Sequence, residues 1–508
     1  MKKLISILCA GAMLLSLAAC GSTSGGASAA DTNITADSVV SSDKTGSTNT
    51  GSTVTDADIA AQLADAVTLT FSDSGITADG SGGFETDGTA LTITDAGAYV
   101  LTGSCADGSV KVKKGVTGVT LVLSGLELTS ADTAPITCAK SSQVVLYAAA
   151  DTENRLADTA QNNDETYSEN ADAENAVIKC KDGSQVTLCG SGSLVIEANG
   201  KNGIKSGATT AEEGEASLTI RDITLTIAAP VNDAINAEQL LVIESGTLTI
   251  AAGDDAIHCD LLLNIGAEGT DGPAITITDC YEAIEAATLN ILSGDIDITS
   301  SDDCLNAANS DLSGYAFSMN ISGGTITAFS SGGDGFDSNG SLTISGGTVV
   351  VWTANTADNQ PLDADGTITI SGGTVLAAGG SSMGMNLSAS QTCVTFGASG
   401  MGGFSSSAIT RGSAISIQDA SGTTVYSGTA LCNAGFVFFS SPALTDGTTY
   451  TLTGGSSTLT ADAQTGSISS GMGGPGGQMP DGQFPGGNRQ RPSMPGNEQS
   501  PTAPGSGS

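Results

Sequence analysis

Acidic side chains recur in fixed company along this chain. The stretch Ala251 to Asp260, AAGDDAIHCD, places Asp254 and Asp255 ahead of an aliphatic residue and then His258, the single histidine. Paired carboxylates beside an imidazole suit proton transfer or metal ligation. The same four-residue shape is an acid or amide, a small residue, an aliphatic or Phe, then a polar residue. It returns at Asn202 to Lys205, Asp233 to Asn236, Glu282 to Glu285, Asp303 to Asn306, Asp334 to Asp337 and, more loosely, Gln360 to Asp363. Asp302 precedes Asp303 as Asp254 precedes Asp255. Weaker echoes centre on Ile136, Ile178 and Met385, and from Ile178 to Met385 the apolar member recurs every 21 to 31 residues. A cluster that recurs on a beat reads as a column, not as a lone catalytic centre.

The candidate ligands of that column are Asp233, Asp254, Asp255, Glu282, Asp302, Asp303, Asp334, Asp337 and Asp363. Two carboxylates about 5 Å apart repel by about 1 kcal/mol in water-like surroundings and about 3 kcal/mol at an effective dielectric of 20. Stacked acids therefore call for cations between them, and hard oxygen ligands suit Ca2+ better than a transition metal. The competing reading is a hydrated acidic ridge that keeps the protein soluble. His258 shares its slot with Asn236, Glu285, Asn306, Asp337 and Asp363. A slot that accepts amide, acid and imidazole alike reads as a polar ladder at a turn.

The elements that must position these residues are short strands. Leu240 to Ile250, Met319 to Thr327, Leu342 to Val350 and Ile368 to Val375 are each two runs of period-two alternation joined by Ser-Gly or Ser-Gly-Gly. Alternation buries one side of a strand and solvates the other, and glycine supplies the positive φ of a sharp turn. Three short strands per repeat, stacked with like residues above like, predict an all-β fold, a right-handed parallel β-helix of about nine coils. Ala150 to Asn175 is polar and acidic and is expected to be a surface loop between coils. After about Leu387 the beat stops and ordinary antiparallel alternation follows, which predicts a cap on the open end.

The two ends and the composition complete the plan. Lys2 and Lys3 precede an apolar run from Leu4 to Leu17, and Leu17-Ala-Ala-Cys20 resembles a bacterial lipobox. This implies a lipoprotein signal peptide over 1–19 and a lipid anchor on Cys20, holding the protein at the outer face of the bacterial cell membrane. Residues 20–62 read as a flexible Ser/Thr/Gly tether, 63–386 as the β-helix, 387–455 as the β cap and 456–508 as a disordered Gly/Pro-rich tail. With 54 Asp and Glu against 16 Lys and Arg, the formal charge is −38. That disfavours nucleic acid and an anionic membrane surface as partners, and leaves the anchor at Cys20 as the membrane contact. Cys138, Cys180 and Cys259 share one slot, and their pairing stays open between a bridge and free core thiols.

The order and spacing of these motifs, with ENAVIKCKDGSQVTLCGSGSLVIEANGKNGIKS, the LTISGGT strands, FVFFSSPALTDGTTYTLTGG and the Gly/Pro/Met tail, resemble one family over about Leu63 to Gly455. It is the calcium-binding parallel β-helix carbohydrate-binding proteins of bacterial cell surfaces, members of which bind acidic plant polysaccharide such as polygalacturonate. The resemblance implies a non-catalytic, monomeric polysaccharide-binding lipoprotein with Ca2+ along one face. Gln360 and Asn202 replace the acid in their coils, which weakens ion binding there. A structural or adhesive surface protein with a protein or cell-wall partner is the alternative. A β-helix lyase or glycoside hydrolase is a second, but no Lys or Arg lies between Asp222 and Thr410 to act as a lyase base. Among the sparse aromatics, Trp352 and Tyr315 are the candidate sugar platforms.

Overall fold

A computed structural model describes residues 56–208, 217–354, 359–379, 386–397 and 409–469. The signal segment, Cys20, most of the tether, Met385 and the Gly/Pro tail lie outside the described residues. The described chain is all-β apart from one short helix, and nearly all its strands join one large, mostly parallel sheet.

The sheet grows by stacking. Each strand pairs in register with the equivalent strand one repeat later. One column runs from Leu91 through Val110, Ile136, Ile178, Ile204, Ile235, Ile257, Ile284 and Leu305 to Phe336 and Leu362. A second runs Val144, Val186, Leu218, Leu241, Leu263, Leu289, Met319, Leu342, Ile368 and Leu387. A third runs Leu156, Ile196, Ile227, Ile250, Ile277, Ile298, Ala328, Val351 and Ala377. All three are buried in one continuous core. Each aliphatic rung contributes roughly 1.5–3 kcal/mol by leaving water, so the stack is held mainly by these columns. The turns follow the sequence closely. The second glycine of Ser-Gly-Gly has φ of +82°, +78° and +78° at Gly324, Gly347 and Gly373. The first lies against the coil below, where a Cβ on Gly346 would stand 2.1 Å from the Ser322 carbonyl oxygen.

Three expectations need correction. Ala150 to Asn175 is not all loop, because Glu153–Asp158 is a strand that pairs on both sides within the stack. Its inward positions are Asn154, Leu156 and Asp158, so the hydrophobic pattern is nearly invisible. Hydrogen bonds replace it. Asn154 accepts from the Leu126 N–H and donates to the Ser193 carbonyl, while Asp158 accepts from the Asn199 and Gly200 N–H groups. The tether ends in order, since Asp56–Leu63 is helical. Its Ile59 covers Val122, Tyr147 and Cys189, an apolar patch on the outer side of the sheet. At the other end the strands run past residue 455, as Ser457–Asp462 and Gln464–Ser469. Both hold by backbone pairing, the first to Thr449–Gly454 and the second to Asn386–Gly397, with little apolar burial to mark them in sequence.

Residues 409–469 are antiparallel. Phe436–Ser440 pairs antiparallel with Thr374–Gly379 and Asn386–Gly397, covering the last rungs of the stack. A separate four-stranded sheet is formed by Ala414–Asp419, Thr424–Thr429, Thr449–Gly454 and Ser457–Asp462. The nine cysteines of the described residues are all buried free thiols, with Cys138 directly beside Cys180 in register.

Candidate functional site

The four-residue motif sits where one strand of each coil begins. Its third residue is the core aliphatic, so the first and fourth flank a fixed rung. The stacking brings the first-position acids into one column. The carbonyl of Asp233 accepts from Gly203, that of Asp255 from Ala234, that of Glu282 from Ala256, that of Asp303 from Ala283 and that of Asp334 from Cys304. Gln360 continues the column through Gly335. Fourth-position residues form a second column: Lys205, Asn236, His258, Glu285, Asn306 and Asp337 are register partners in turn. His258 is one rung of that ladder. Buried serines brace the turns ahead of the acids, as Ser300 and Ser330 both donate to the Asp302 carbonyl at 2.7 Å.

Within this frame the carboxylates are satisfied unevenly. Asp233 is buried, accepts from Asn236 Nδ2 at 2.6 Å and from the Asp255 N–H at 3.2 Å, and is still raised by burial. Asp303 and Asp334 accept the N–H of the next coil at 2.6 and 2.5 Å. Glu282 accepts from Asn306 Nδ2 at 2.9 Å and lies against the carboxyl of Glu285, its motif partner. Burial, then Glu285 and Asp255, push its carboxyl well above the usual range. Asp303 is pushed up to about 8 by burial and by Asp337, and Asp255 to about 7 by burial with Asp233 and Glu285 adding. His258 opposes that rise. Its Nδ1 donates to Asp255 Oδ2 at 2.9 Å and its Nε2 to Asp260 Oδ1 at 3.0 Å. Burial alone would lower the imidazole, but Asp255, Asp260 and Glu285 together hold it above the usual histidine range. Asn306 Oδ1, in the midst of these acceptors, is buried with no donor.

Two groups among the described residues bring three ligand atoms within 4.8 Å of one another: Asp334, Asp337 and Asp363, and Asp255, His258 and Glu285. The first is all oxygen and suits a hard cation. The second mixes nitrogen and oxygen, and His258 already acts there as an internal cation. Asp233, Glu282 and Asp303 share the first column, and Asp254 and Asp302 directly precede two of its members, without joining either group. His258 and Glu285 were absent from the sequence-derived ligands, although their common slot and the Asp255–His258 spacing were visible in the motif.

The aromatic candidates separate. Trp352 is fully buried among Leu376, Val394, Phe396, Val437 and Phe439, and no face is open to a sugar. It packs the last coils against the C-terminal sheets, which corrects its reading as a platform. Tyr315 is half-buried, tilted against Phe317 with ring centroids 5.4 Å apart, and its hydroxyl pairs with Thr288 at 3.0 Å.

The profile of the carbohydrate-binding domain-containing protein family matches residues 87–384. The chain belongs to that family, and the matched residues contain the acidic columns. No curated protein matches it. Among solved structures, the polysaccharide lyase-like protein from C. thermocellum, as its gadolinium derivative, is similar at 23% identity and a TM-score of 0.31. The likeness covers 61% of this chain and 93% of that one.

Proposed function

We propose that this protein is a non-catalytic, calcium-dependent polysaccharide-binding lipoprotein built on a right-handed parallel β-helix. Its outward acidic columns hold Ca2+, and an acidic, pectin-like glycan docks on the same face through those ions. The observation that carries the reading is the in-register stack of acids inside a carbohydrate-binding family match. Buried carboxylates that repel one another are relieved by cations, and Asp334, Asp337 and Asp363 supply the all-oxygen set. Calcium would bridge protein acids to glycan carboxylates, which explains how a chain of net charge −38 binds a polyanion. Catalysis is not part of the proposal. The acidic coils between Asp222 and Thr410 offer no Lys or Arg as a base, and His258 is held between two carboxylates. Cys20 carries the lipid anchor, and the protein acts as a monomer outside the cell.

The test is a pull-down of the protein on pectin, cellulose and peptidoglycan, each with calcium and with EDTA. Calcium-dependent retention on pectin is expected. Retention on none of the glycans removes the reading in favour of a structural or adhesive role, and turnover of polygalacturonate removes the non-catalytic part.

A further inference from the structure

The ladder that carries His258 and Glu285 has another end. Followed toward the N-terminal coils, it reads Asn236, Lys205, Lys179, Thr137, Lys111 and Thr92, each the register partner of the next. One ladder therefore passes from acids to lysines. Ten of the chain's 16 Lys and Arg lie between Lys111 and Arg221, while the acidic coils have none.

The basic end has a shape. Neighbouring rows place Lys113 and Lys181 on either side of Ala139, whose N–H bonds the Val112 carbonyl while Lys181 bonds the Cys138 carbonyl. Thr137 and Ala139 are short and buried, whereas the coils before and after carry long lysines at those rows. The middle coil is thus the floor of a trough of about 440 Å³, walled by Lys111, Lys113, Lys114, Lys140 and Lys181, with Glu85 also on its rim. Lys140 pairs with Asp182 and Lys181 with Glu174, both at 2.5 Å. Lys111, Lys113 and Lys114 are exposed and form no ion pair among the described residues. Lys179 stacks directly on Lys205 beside the trough, where Glu174 and Glu238 offset the like charges and Lys205 donates to Asn236 Oδ1.

We propose that this lysine-walled trough binds the carboxylates of a uronate-containing glycan directly, without a divalent cation. The inference rests on the polysaccharide-binding reading and adds a second, cation-independent contact on the same ladder. Lysines spread over three coils, about 4.8 Å apart per coil, present separated point charges. Such an array suits an anion that repeats along a chain. A lone phosphate would favour a convergent fork of arginine or backbone N–H donors. Nucleic acid, with one charge per about 1.7 Å of duplex, would meet the acidic coils on the same face.

Binding of the purified protein to immobilised polygalacturonate, in calcium and in EDTA, tests this. Fully methyl-esterified pectin and dextran sulfate serve as control ligands. Wild type should keep a weaker, salt-sensitive affinity in EDTA that disappears on methyl-esterification. Lys111→Gln/Lys113→Gln/Lys114→Gln should lower the EDTA affinity about tenfold with an unchanged melting temperature, as expected for the loss of a few exposed charge pairs. Asp334→Asn/Asp337→Asn should instead remove the calcium-dependent part and spare the part seen in EDTA. No binding in EDTA alone, or an unaltered triple variant, overturns the trough while leaving the calcium reading in place. Equal binding of dextran sulfate overturns the assignment to a uronate. Loss of binding in both conditions overturns the polysaccharide reading itself.

Discussion

Asp303 and Asp255 hold protons in the folded, metal-free protein to about pH 8 and about pH 7, against about 3.9 for an unperturbed aspartate. The folded state therefore binds more protons than the unfolded chain between those values and pH 4. Stability is highest at the low end of that window and is lost as pH rises through 7 and 8. In EDTA the melting temperature should fall from pH 5 to pH 9, and millimolar calcium, which binds the ionised form, should flatten that slope. A melting curve that rises with pH in EDTA would contradict the burial of these groups. Calcium should raise the melting temperature by mass action, and Asp334→Asn/Asp337→Asn should cut that rise far more than Asp233→Asn, whose carboxylate is already held by Asn236. His258→Ala removes the cation between Asp255 and Asp260, and should cost roughly 3 kcal/mol by chemical denaturation in EDTA. The spacing of acids was plain in the sequence. Which three oxygens meet was not, because that depends on rotamers and on how each amide or imidazole neighbour spends its donors.

At the level of elements, the apolar beat and the Ser-Gly-Gly turns announced the stacked strands, since burial on a pleated strand has period two and repeats exclude other periods. The strand Glu153–Asp158 escaped because amide and carboxylate groups fill two of its three inward places. Leu156 is the one aliphatic rung there, fully buried, so Leu156→Ala should destabilise by about 2–5 kcal/mol despite its acidic surroundings. Trp352 shows the converse. An isolated tryptophan in a family that binds sugars invites a stacking role, yet its partners Val394, Phe396, Val437 and Phe439 come from strands later in sequence. Trp352→Ala should cost about 3–5 kcal/mol and weaken attachment of the C-terminal sheets, with glycan affinity at folded temperatures unchanged. A drop in affinity without a drop in stability would return it to the ligand site.

Across the whole molecule, charge is segregated along one ladder, lysine-rich at its first coils and acid-rich at its later ones. Net charge gave no hint of this, because 54 acids conceal 16 bases whatever their arrangement. Cys20→Ser is expected to move the protein from the membrane fraction to the medium without altering its melting temperature, which fractionation and immunoblotting would show. The sequence alone determined the repeat, the core columns, the turn glycines and the identity of the acidic column, since each follows from local periodicity and a hydrophobic residue must face inward wherever it recurs. Only the tertiary structure decided that His258 is clasped by Asp255 and Asp260, that Trp352 is closed to solvent, and that lysines from coils far apart in sequence wall one trough. Those are contacts between coils, and stacking brings together side chains whose separation along the chain carries no signal of their meeting.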